Sequence, residues 1–499
     1  MIARAAPLAL ALVAALTYAL TAAAISQTRS LWLDEVLAVW AARLPTYSDV
    51  VTAIWNGAEF SPPTYDLLLH TLFQGAGSDP LTAHLPSIVA VLLTAALIGV
   101  IVARRLGPLF GALAFALLLN SALFEFAIQA RAYATITTLL AGALLLWIDA
   151  GERLSPARAI GIALCLFASF SLHYYAVVSF AVFALMEGLW TLACRKLRIG
   201  LWLALAGGAL PCAVWLPLIR HHASLNSGDV NAPEFYGAPT ASKLIEHVQA
   251  LFLGTTDNWL LVLAAILIVT GAFVYARVSG GGDAADVGAS AGQRDLAIAG
   301  GGLLAALPIA FVLALTVTHA FSARYALAAT IGVVILLTLA IHRTPYRNVV
   351  AYTLLALLCI MPLARSLPPD FARSSKQLLA KHPTTGPLIV GDADLFIELL
   401  ESADAAMRAR IVYLRRPAGV SDGNTASENQ ILRLKASYKP DLPIVPFDGF
   451  TRENREFTLL ARPGWRNDAL SDYFIAKGWI AGVYSIAPRL TLLKVRSPQ

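Results

Sequence analysis

Residues 83–103 read AHLPSIVAVLLTAALIGVIVA and are followed by Arg104 and Arg105. An apolar run of about 20 residues is long enough to cross a lipid bilayer as a helix. Only 14% of all residues are charged and 58% are hydrophobic, whereas a soluble domain carries ~25% charged residues. Too few charges are present to cover a water-facing surface. The composition therefore predicts a polytopic α-helical membrane protein and excludes a soluble globular one.

The chain contains about eleven such apolar runs, each a candidate transmembrane helix. Their bounds are 7–25, 83–103, 107–124, 133–149, 159–172, 175–193, 199–218, 259–276, 297–317, 325–341 and 349–365. The run at 159–172 is short, and it is either tilted or joined to the next run as one broken helix. The first run has features of a signal peptide, but its length favours an uncleaved anchor.

Basic residues recur in alternate connections between these runs. Cytoplasmic loops of membrane proteins carry an excess of Lys and Arg. The residues that we place on the cytoplasmic side are Arg4, Arg104, Arg105, Arg153, Arg158, Arg195, Lys196, Arg198, Arg343 and Arg347. Loops 26–82 and 219–258, the link 321–324 and the C-terminal tail then face outward. Since these loops explain the net charge of +6, no nucleic-acid partner is expected.

The composition changes after residue 368, where charged residues become more frequent. Strand patterns are expected at 387–390, 411–414, 444–445, 457–460 and 490–495, with helices near 394–409 and around 473–475. Alternating strands and helices predict a periplasmic α/β domain over 369–499 and a transmembrane domain over 1–368. No G-x-G-x-x-G occurs there, so a nucleotide site is not expected. The Gly-rich segment 278–292 is typical of a flexible linker.

The first outer loop, 26–82, is rich in acidic and aromatic residues. Asp34 follows Leu31-Trp32-Leu33 and is well placed to cap a helix over 36–44, because its carboxylate accepts from free amides. A second helix is expected at 48–57. Tryptophans and Tyr47 suit the membrane interface, so we expect the loop to lie on the bilayer. Asp34 and Glu35 are then either functional carboxylates or only caps and solvated charges.

Further polar residues gather at the outer ends of the predicted spans. They are Glu125, Gln129, Arg131, Tyr133, His173, Tyr174, Tyr175, Arg220, His221, His222, His319, Arg324 and Tyr325. Ionisable residues near lipid are costly and suggest function, although single ones are often interface anchors. Arg and His cations hold a lipid phosphate, and a carboxylate takes a proton from an attacking hydroxyl. This chemistry suits a sugar on a polyprenyl phosphate.

A metal site is a second interpretation of the histidines. His221 and His222, with His173, are candidate ligands of a divalent cation, but the spacing is not diagnostic. No other cofactor is expected. The four cysteines, Cys165, Cys194, Cys212 and Cys359, lie in or beside apolar runs without zinc spacing, and disulfides are not expected among them.

The sequence resembles the polytopic glycosyltransferases of the GT-C fold, nearest to the bacterial protein O-mannosyltransferase-like and aminoarabinose transferase-like group. The motifs that carry the resemblance are Trp32-x-Asp34-Glu35, Ser61-Pro62-Pro63-x-Tyr65, Gln129-Ala130-Arg131-Ala132-Tyr133, His173-Tyr174 and Arg324-Tyr325. The resemblance covers roughly residues 5–365 and also the C-terminal tail. It implies an inverting transferase that moves a sugar from a polyprenyl-phosphate donor to a periplasmic acceptor, at the outer face of the bacterial inner membrane.

The resemblance also implies roles for single residues. Asp34, with Glu35 beside it, would be the catalytic base or the carboxylate that orients the acceptor. Arg131 and Arg324 would face the donor phosphate, supported by Tyr133, His173 and Tyr325. The loop residues that would shape the cavity are Glu59, Pro62, Pro63 and Tyr65. Two positions depart from the family: Ser61 replaces a usual His, and His84 replaces a usual Arg.

Other classes of protein remain open from the sequence. A flippase or transporter of lipid-linked glycans would also need outer cations, but it predicts polar residues at the bilayer midplane. An O-antigen-ligase-type transferase fits His221 and His222 but not the acidic loop. An inactive scaffold of the same fold is a third interpretation.

Overall fold

The computed structural model describes residues 2–151, 154–230, 237–253, 291–365, 370–384, 386–417, 420, 426–462, 468–487 and 489–496. The helices α1 to α9 are Ile2–Thr28, Leu33–Ala42, Tyr47–Trp55, Thr64–Ala76, Pro80–Leu106, Pro108–Leu119, Leu123–Ala127, Tyr133–Ala150 and Pro156–Leu172. The helices α10 to α17 are Val177–Cys194, Ile199–Ala209, Leu216–Val230, Ala241–Leu253, Ala291–Leu304, Ala306–Leu313, Ala328–His342 and Arg347–Ile360.

Seven described helical segments are long and apolar enough to cross a membrane. They are Ala5–Thr28, Pro80–Leu106, Tyr133–Ala150, Tyr174–Cys194, Ile199–Leu225, Ala291–Thr318 and Arg347–Ala364, and three shorter apolar helices are Pro108–Leu119, Pro156–Leu172 and Ala328–His342. Each of these ten matches one predicted run, so the polytopic helical class is confirmed. The predicted run 259–276 and positions 278–290 of the predicted linker lie outside the described residues.

The chain divides into two compact units. The first unit comprises Met1–Gln27, Leu81–Pro217 and Gly237–Pro368. The second unit comprises Thr28–Pro80, Leu218–Tyr236 and Pro369–Gln499. Loop 28–80 therefore belongs to the same compact unit as the C-terminal region. The domain boundary predicted from the sequence, at residue 368, assigns this loop to the other domain. The assignment of 1–368 to the membrane and 369–499 to the periplasm stays a prediction.

Small residues allow close helix packing in the first unit. A Cβ atom on Gly111 of α6 would lie 2.6 Å from the carbonyl oxygen of Gly99 and 2.5 Å from the Cβ of Ala103, both on α5. Because helices in lipid associate through such close backbone approach, these glycines set the α5–α6 distance.

A buried ion pair also joins helices of this unit. Arg198 Nε donates to Glu187 Oε1 at 3.0 Å, and Trp147 Nε1 donates to Glu187 Oε2 at 3.1 Å. The Arg198 guanidinium lies 3.8 Å from the Trp190 ring centroid. Since all donors and acceptors of the pair face a partner, the charges are tolerated away from water.

Loop 28–80 of the second unit forms α2, α3 and α4. The prediction that Asp34 caps a helix at 36–44 is wrong, because α2 begins at Leu33 and its N-cap is Trp32. The amide of Trp32 donates to Glu35 Oε2 at 3.0 Å, so Glu35 performs the capping. The second predicted helix, 48–57, is α3, which Thr46 caps. Pro63 directly precedes α4.

The C-terminal region is an α/β domain, as the sequence predicts. Its helices α18 to α23 are Phe371–Lys381, Ala393–Ser402, Ala405–Arg408, Ala426–Ser437, Phe447–Glu453 and Ala469–Ala476. Its strands β1 to β6 are Leu388–Val390, Ile411–Leu414, Ile444–Val445, Glu456–Ala461, Ile480–Ala487 and Leu490–Arg496. The strand order is β3-β2-β1-β4-β6-β5. Strands β1 to β4 pair in parallel, whereas β6 is antiparallel to both of its neighbours.

Two details of this domain differ from the sequence prediction. The helix expected at 394–409 is divided into α19 and α20, because Ala403 is extended with φ −77° and ψ 145°. Strand β5 was not expected from the sequence. Apolar residues of one face of the sheet, such as Leu459, pack with helix residues, such as Phe474 of α23, in a core of the domain.

Candidate functional site

Tyr133 stands at the centre of the candidate site in the first unit. It is the first residue of α8, and Arg131 lies two residues before it in the turn that follows α7. The Arg131 carbonyl accepts a hydrogen bond from Ser87 Oγ of α5 at 3.2 Å. This bond fixes the backbone of the turn. The side chain of Arg131 reaches Tyr133, and its guanidinium lies 5.8 Å from the Tyr133 ring centroid. The ring therefore carries a cation on its face.

His173 approaches Tyr133 from the turn that ends α9. Its Nε2 lies 3.4 Å from the Tyr133 hydroxyl, and its Nδ1 accepts from the amide of Tyr175 at 3.2 Å. A ring nitrogen that accepts carries no proton, so in the neutral imidazole the proton is on Nε2. His173 thus donates to Tyr133, and the phenol's own proton points elsewhere.

Arg324 and Tyr325 complete the group from the 3-10 turn Ala323–Ala326. The Arg324 guanidinium lies 5.7 Å from the Tyr133 ring centroid and 5.6 Å from that of Tyr325. Tyr325 stacks on Tyr175 with centroids 3.6 Å apart and planes 4° apart. The Tyr175 hydroxyl is hydrogen-bonded to the Thr318 hydroxyl and to the carbonyl of Ala320, which fixes the stack.

All of these residues except Arg131 line one cleft, which is open at its mouth. Its wall comprises Tyr133, Ile136, Thr137, Leu140, His173, Tyr175, Ala176, Val178, Ser179, Val182, Arg324, Tyr325, Leu327 and Ala328. The lining combines cationic and aromatic groups with aliphatic side chains and two small polar ones. A guanidinium group is a favourable partner for a phosphate, and aliphatic side chains are favourable partners for an apolar chain attached to it.

Two polar residues of this wall were not singled out from the sequence. Thr137 and Ser179 follow Tyr133 and Tyr175 by four positions, on α8 and α10. Residues four apart lie on the same face of a helix. A polar residue one turn inside an apolar span, below a polar span end, is the signal that would have identified them.

The two predicted catalytic carboxylates lie in the second unit and differ in their surroundings. Glu35 is fully buried. Its Oε2 accepts from the Trp32 amide and lies 3.5 Å from Arg29 Nη2. Asp34 is partly exposed on the first turn of α2. Glu35 therefore holds the start of the helix, and Asp34 is the more exposed of the two carboxylates.

The Glu59–Tyr65 stretch forms a buried polar cluster in the same unit. Ser61 Oγ donates to Glu59 Oε1 at 2.9 Å. Asp66 is 1% exposed. Burial, together with the negative charges of Asp66 and Glu59, raises the pKa of the Tyr438 phenol. Tyr438, from the C-terminal domain, is a member that the sequence did not indicate.

The remaining predicted residues are placed as follows. Pro62, Pro63 and Tyr65 are buried at the start of α4. His84 is fully buried on α5 of the first unit. Their predicted roles around a cavity stay predictions.

The histidine pair of α12 packs against aromatic residues of the loop. His221 stacks on Trp55 with centroids 4.7 Å apart, and His222 meets Phe60 edge-on. His222 Nε2 donates to the carbonyl of Ile54 at 2.9 Å. Among the residues that the structure describes, no three His, Cys, Asp or Glu side chains gather as a metal site needs. The pair contacts loop 28–80 through these rings and this hydrogen bond, and metal binding by it stays a prediction.

Comparison with known proteins bears on the fold. The sequence matches no protein-family model and no curated protein sequence. The chain is similar to the crystal structure of ArnT from Cupriavidus metallidurans bound to undecaprenyl phosphate, with a TM-score of 0.56, 15% identity and 99% of both chains covered. The likeness shows that this chain has the GT-C fold, which confirms the resemblance seen in the sequence at the level of fold.

Two further solved structures are more distantly similar. One is ArnT from the same organism in the apo state, with 14% identity and a TM-score of 0.47 over 100% of both chains. The other is an Archaeoglobus fulgidus oligosaccharyltransferase complex with Zn and sulfate. It has 12% identity and a TM-score of 0.46, and the match covers 97% of this chain and 73% of that one.

Proposed function

We propose that this protein is an inverting glycosyltransferase that moves a sugar from a polyprenyl-phosphate donor to a periplasmic acceptor, which is a lipid, a glycan or a protein. The supporting observation is that the guanidinium groups of Arg131 and Arg324, from distant parts of the chain, lie 5.8 and 5.7 Å from the centroid of the Tyr133 ring, which contacts His173. The similar ArnT structure is bound to undecaprenyl phosphate, so a lipid of this class fits the proposal.

The donor phosphate occupies the cationic side of the cleft. During transfer the bond between the anomeric carbon and the phosphate oxygen breaks, and a phosphodiester with one charge becomes a phosphomonoester with two. Arg131 and Arg324 stabilise the added charge, since a guanidinium matches phosphate oxygens with paired donors. The Tyr133 hydroxyl, whose oxygen accepts from His173, donates a hydrogen bond to a phosphate oxygen.

Asp34 acts as the general base. The acceptor hydroxyl oxygen attacks the anomeric carbon from the face opposite the phosphate, which inverts its configuration, and Asp34 takes the hydroxyl proton. Glu35 is a positioning residue, because its carboxylate caps α2 and pairs with Arg29. The catalytic face of the protein is the periplasmic side of the inner membrane, an orientation that the distribution of Lys and Arg among the loops favours.

The test uses purified protein in lipid nanodiscs with a panel of undecaprenyl-phosphate monosaccharides and an envelope lipid extract as acceptor. Undecaprenyl phosphate release is measured for the wild type and for Asp34→Asn, and native mass spectrometry measures donor binding. We expect Asp34→Asn to bind donor like the wild type and to lose transfer about 100-fold or more. Asp472→Asn, an exposed change in the C-terminal domain, is the matched control.

A variant Asp34→Asn that transfers sugar at the wild-type rate would exclude the proposed base. Movement of intact donor across the bilayer without release of undecaprenyl phosphate would show a flippase instead. Mass spectrometry of envelope glycans from a strain that lacks this protein identifies the sugar and the acceptor.

A further inference from the structure

Helix α19 of the C-terminal domain carries an acidic stripe, which consists of Asp394, Glu398 and Glu401. These positions are four and three residues apart, so they lie on one face of the helix. All three side chains are only partly exposed, and most of the residues between them in the helix are apolar and buried. Buried carboxylates need hydrogen-bond donors to offset the loss of water, and the stripe finds several in helix α2 of the same unit.

The first contact holds the residue beside Asp34. The amide of Leu33, the first residue of α2, donates to Glu398 Oε1 at 3.1 Å. Amides in the first turn of a helix have no partner within the helix, and the helix dipole favours an acceptor there. The preceding amide, of Trp32, is held by Glu35. Two carboxylates, one local and one from the C-terminal domain, therefore fix the backbone that enters Asp34.

The second contact holds the other end of α2. Trp40 Nε1 donates to Glu401 Oε2 at 2.7 Å, and Arg43 Nη1 donates to Glu401 Oε1 at 2.6 Å. The Lys439 ammonium lies 4.8 Å from the Trp40 ring centroid. Contacts at both ends oppose rotation of α2 about its axis and its sliding along α19.

The base of α19 is anchored in the sheet. Asp392 follows β1 and accepts from the amides of Asp394 and Leu395 at 2.9 and 3.1 Å, which caps α19. Asp392 also pairs with Arg462, just beyond β4, at 2.9 Å. The strand order places these residues between β1 and β4, the switch point of the parallel strands, where open α/β sheets bind ligands. Here protein side chains fill that position and fix α19.

From these contacts we propose that the C-terminal α/β domain positions the catalytic carboxylate. Glu398 is the positioning residue for Asp34, and Glu401 holds the C-terminal end of α2 through Trp40 and Arg43. The proposal rests on the role of Asp34 under the proposed function. A general base must lie within hydrogen-bond reach of the acceptor proton, so a small displacement of α2 lowers turnover without changing donor binding.

The test compares Glu398→Ala, Glu398→Gln and the matched control Glu453→Ala in full-length protein in nanodiscs. Glu453 is exposed at the end of α22. Glutamine keeps the oxygen that accepts from Leu33, whereas alanine removes it. Three quantities are measured: sugar transfer from the undecaprenyl-phosphate panel, binding of undecaprenyl phosphate, and hydrogen–deuterium exchange of the peptide covering 31–42.

We expect Glu398→Ala to lower kcat about tenfold or more, with the donor KM changed by less than about threefold. Its 31–42 peptide exchanges faster than in the wild type. In Glu398→Gln, kcat and the exchange rate of the peptide are within about threefold of wild type, and Glu453→Ala changes neither quantity. A merely structural role would lower the amount of folded protein and leave kcat of the folded fraction unchanged.

Two outcomes would overturn the inference. One is wild-type kcat in Glu398→Ala while Asp34→Asn is inactive, and the other is an inactive Glu398→Gln with normal exchange. Should Glu398→Ala fail to fold, Trp40→Phe removes the donor to Glu401 while keeping an aromatic ring. This variant is expected to show faster exchange and lower kcat, and wild-type values in it would equally reject the proposal. Full activity of Asp34→Asn would instead reject the proposed function.

Discussion

His173 Nε2 lies 3.4 Å from the Tyr133 hydroxyl oxygen, while His173 Nδ1 accepts from the Tyr175 amide. The two bonds together determine the direction of hydrogen bonding, because only one nitrogen of a neutral imidazole carries a proton. Tyr133 is consequently an acceptor towards His173 and a donor towards another group. The arrangement prepares a neutral donor beside two guanidinium groups, which suits the recognition of a phosphate.

Tyr133→Phe removes this donor and keeps the ring that both guanidinium groups approach. A hydrogen bond to a charged group contributes about 1.5–3 kcal/mol, so we expect undecaprenyl phosphate to bind roughly tenfold or more weakly. Native mass spectrometry with titrated lipid measures the change. Tyr352→Phe, on an exposed face of α17, is the matched control, and equal affinities for both variants would exclude a contact between the Tyr133 hydroxyl and the phosphate.

Arg324→Lys tests the need for a guanidinium. Lysine keeps the charge but presents no planar pair of donors to phosphate oxygens. We expect kcat to fall roughly 10- to 100-fold, because the guanidinium stabilises charge that develops on the leaving phosphate. Arg373→Lys, exposed on α18, should keep wild-type kcat. Equal kcat in the two variants would show that a point charge is sufficient at position 324.

The second unit should lose stability as the pH rises from about 4 to about 8. Burial, assisted by the neighbouring Asp392, raises the pKa of Asp394 to about 7, and burial with the nearby Asp394 raises the pKa of Glu398 to about 8. Burial likewise raises the pKa of Asp468 to about 7. Unfolded carboxyl groups titrate near pH 4, so the folded state binds more protons throughout this interval.

The contribution of these groups is complete below their unfolded pKa and is lost through their folded pKa. Groups that face Glu398 include Asp392, Asp394 and Arg462. Thermal unfolding by tryptophan fluorescence at about pH 5, 6.5 and 8 measures the decline. Glu398→Gln cannot ionise and should show a shallower decline. A midpoint that rises with pH in the wild type, with no change in the variant, would contradict the prediction.

Gly111→Ala should destabilise the first unit more than Gly188→Ala. The added methyl on Gly111 would lie 2.5 Å from the Cβ of Ala103 and 2.6 Å from the Gly99 carbonyl oxygen, whereas nothing lies within 4 Å of a Cβ on Gly188. Overpacking of this kind costs about 1–3 kcal/mol, and alanine in an open helix position gains up to ~1 kcal/mol. The melting temperatures of the two variants in detergent measure the difference in stability. Equal melting temperatures would show that α5 and α6 can move apart to accommodate the methyl group.

The membrane helices were predictable because hydropathy is a local property. Each span buries its backbone polar groups within itself, so an apolar run of sufficient length is enough to indicate it. Strands β1 to β4 were equally visible from their short apolar runs. Strand β5 was not, since it lies at the sheet edge and includes Gly482, and its pairing with β6 is irregular. The start of α2 was misjudged because Glu35, rather than Asp34, performs the capping.

The sequence by itself determined the class of protein, ten of the described helices that match apolar runs, and which polar residues stand at span ends. Only the tertiary structure decided which of them meet. Tyr133 and His173 are 40 positions apart, and Leu33 and Glu398 are 365 positions apart. Contacts at such separations depend on how helices and sheet pack against one another, and side-chain packing is a property of the whole chain that no local pattern encodes.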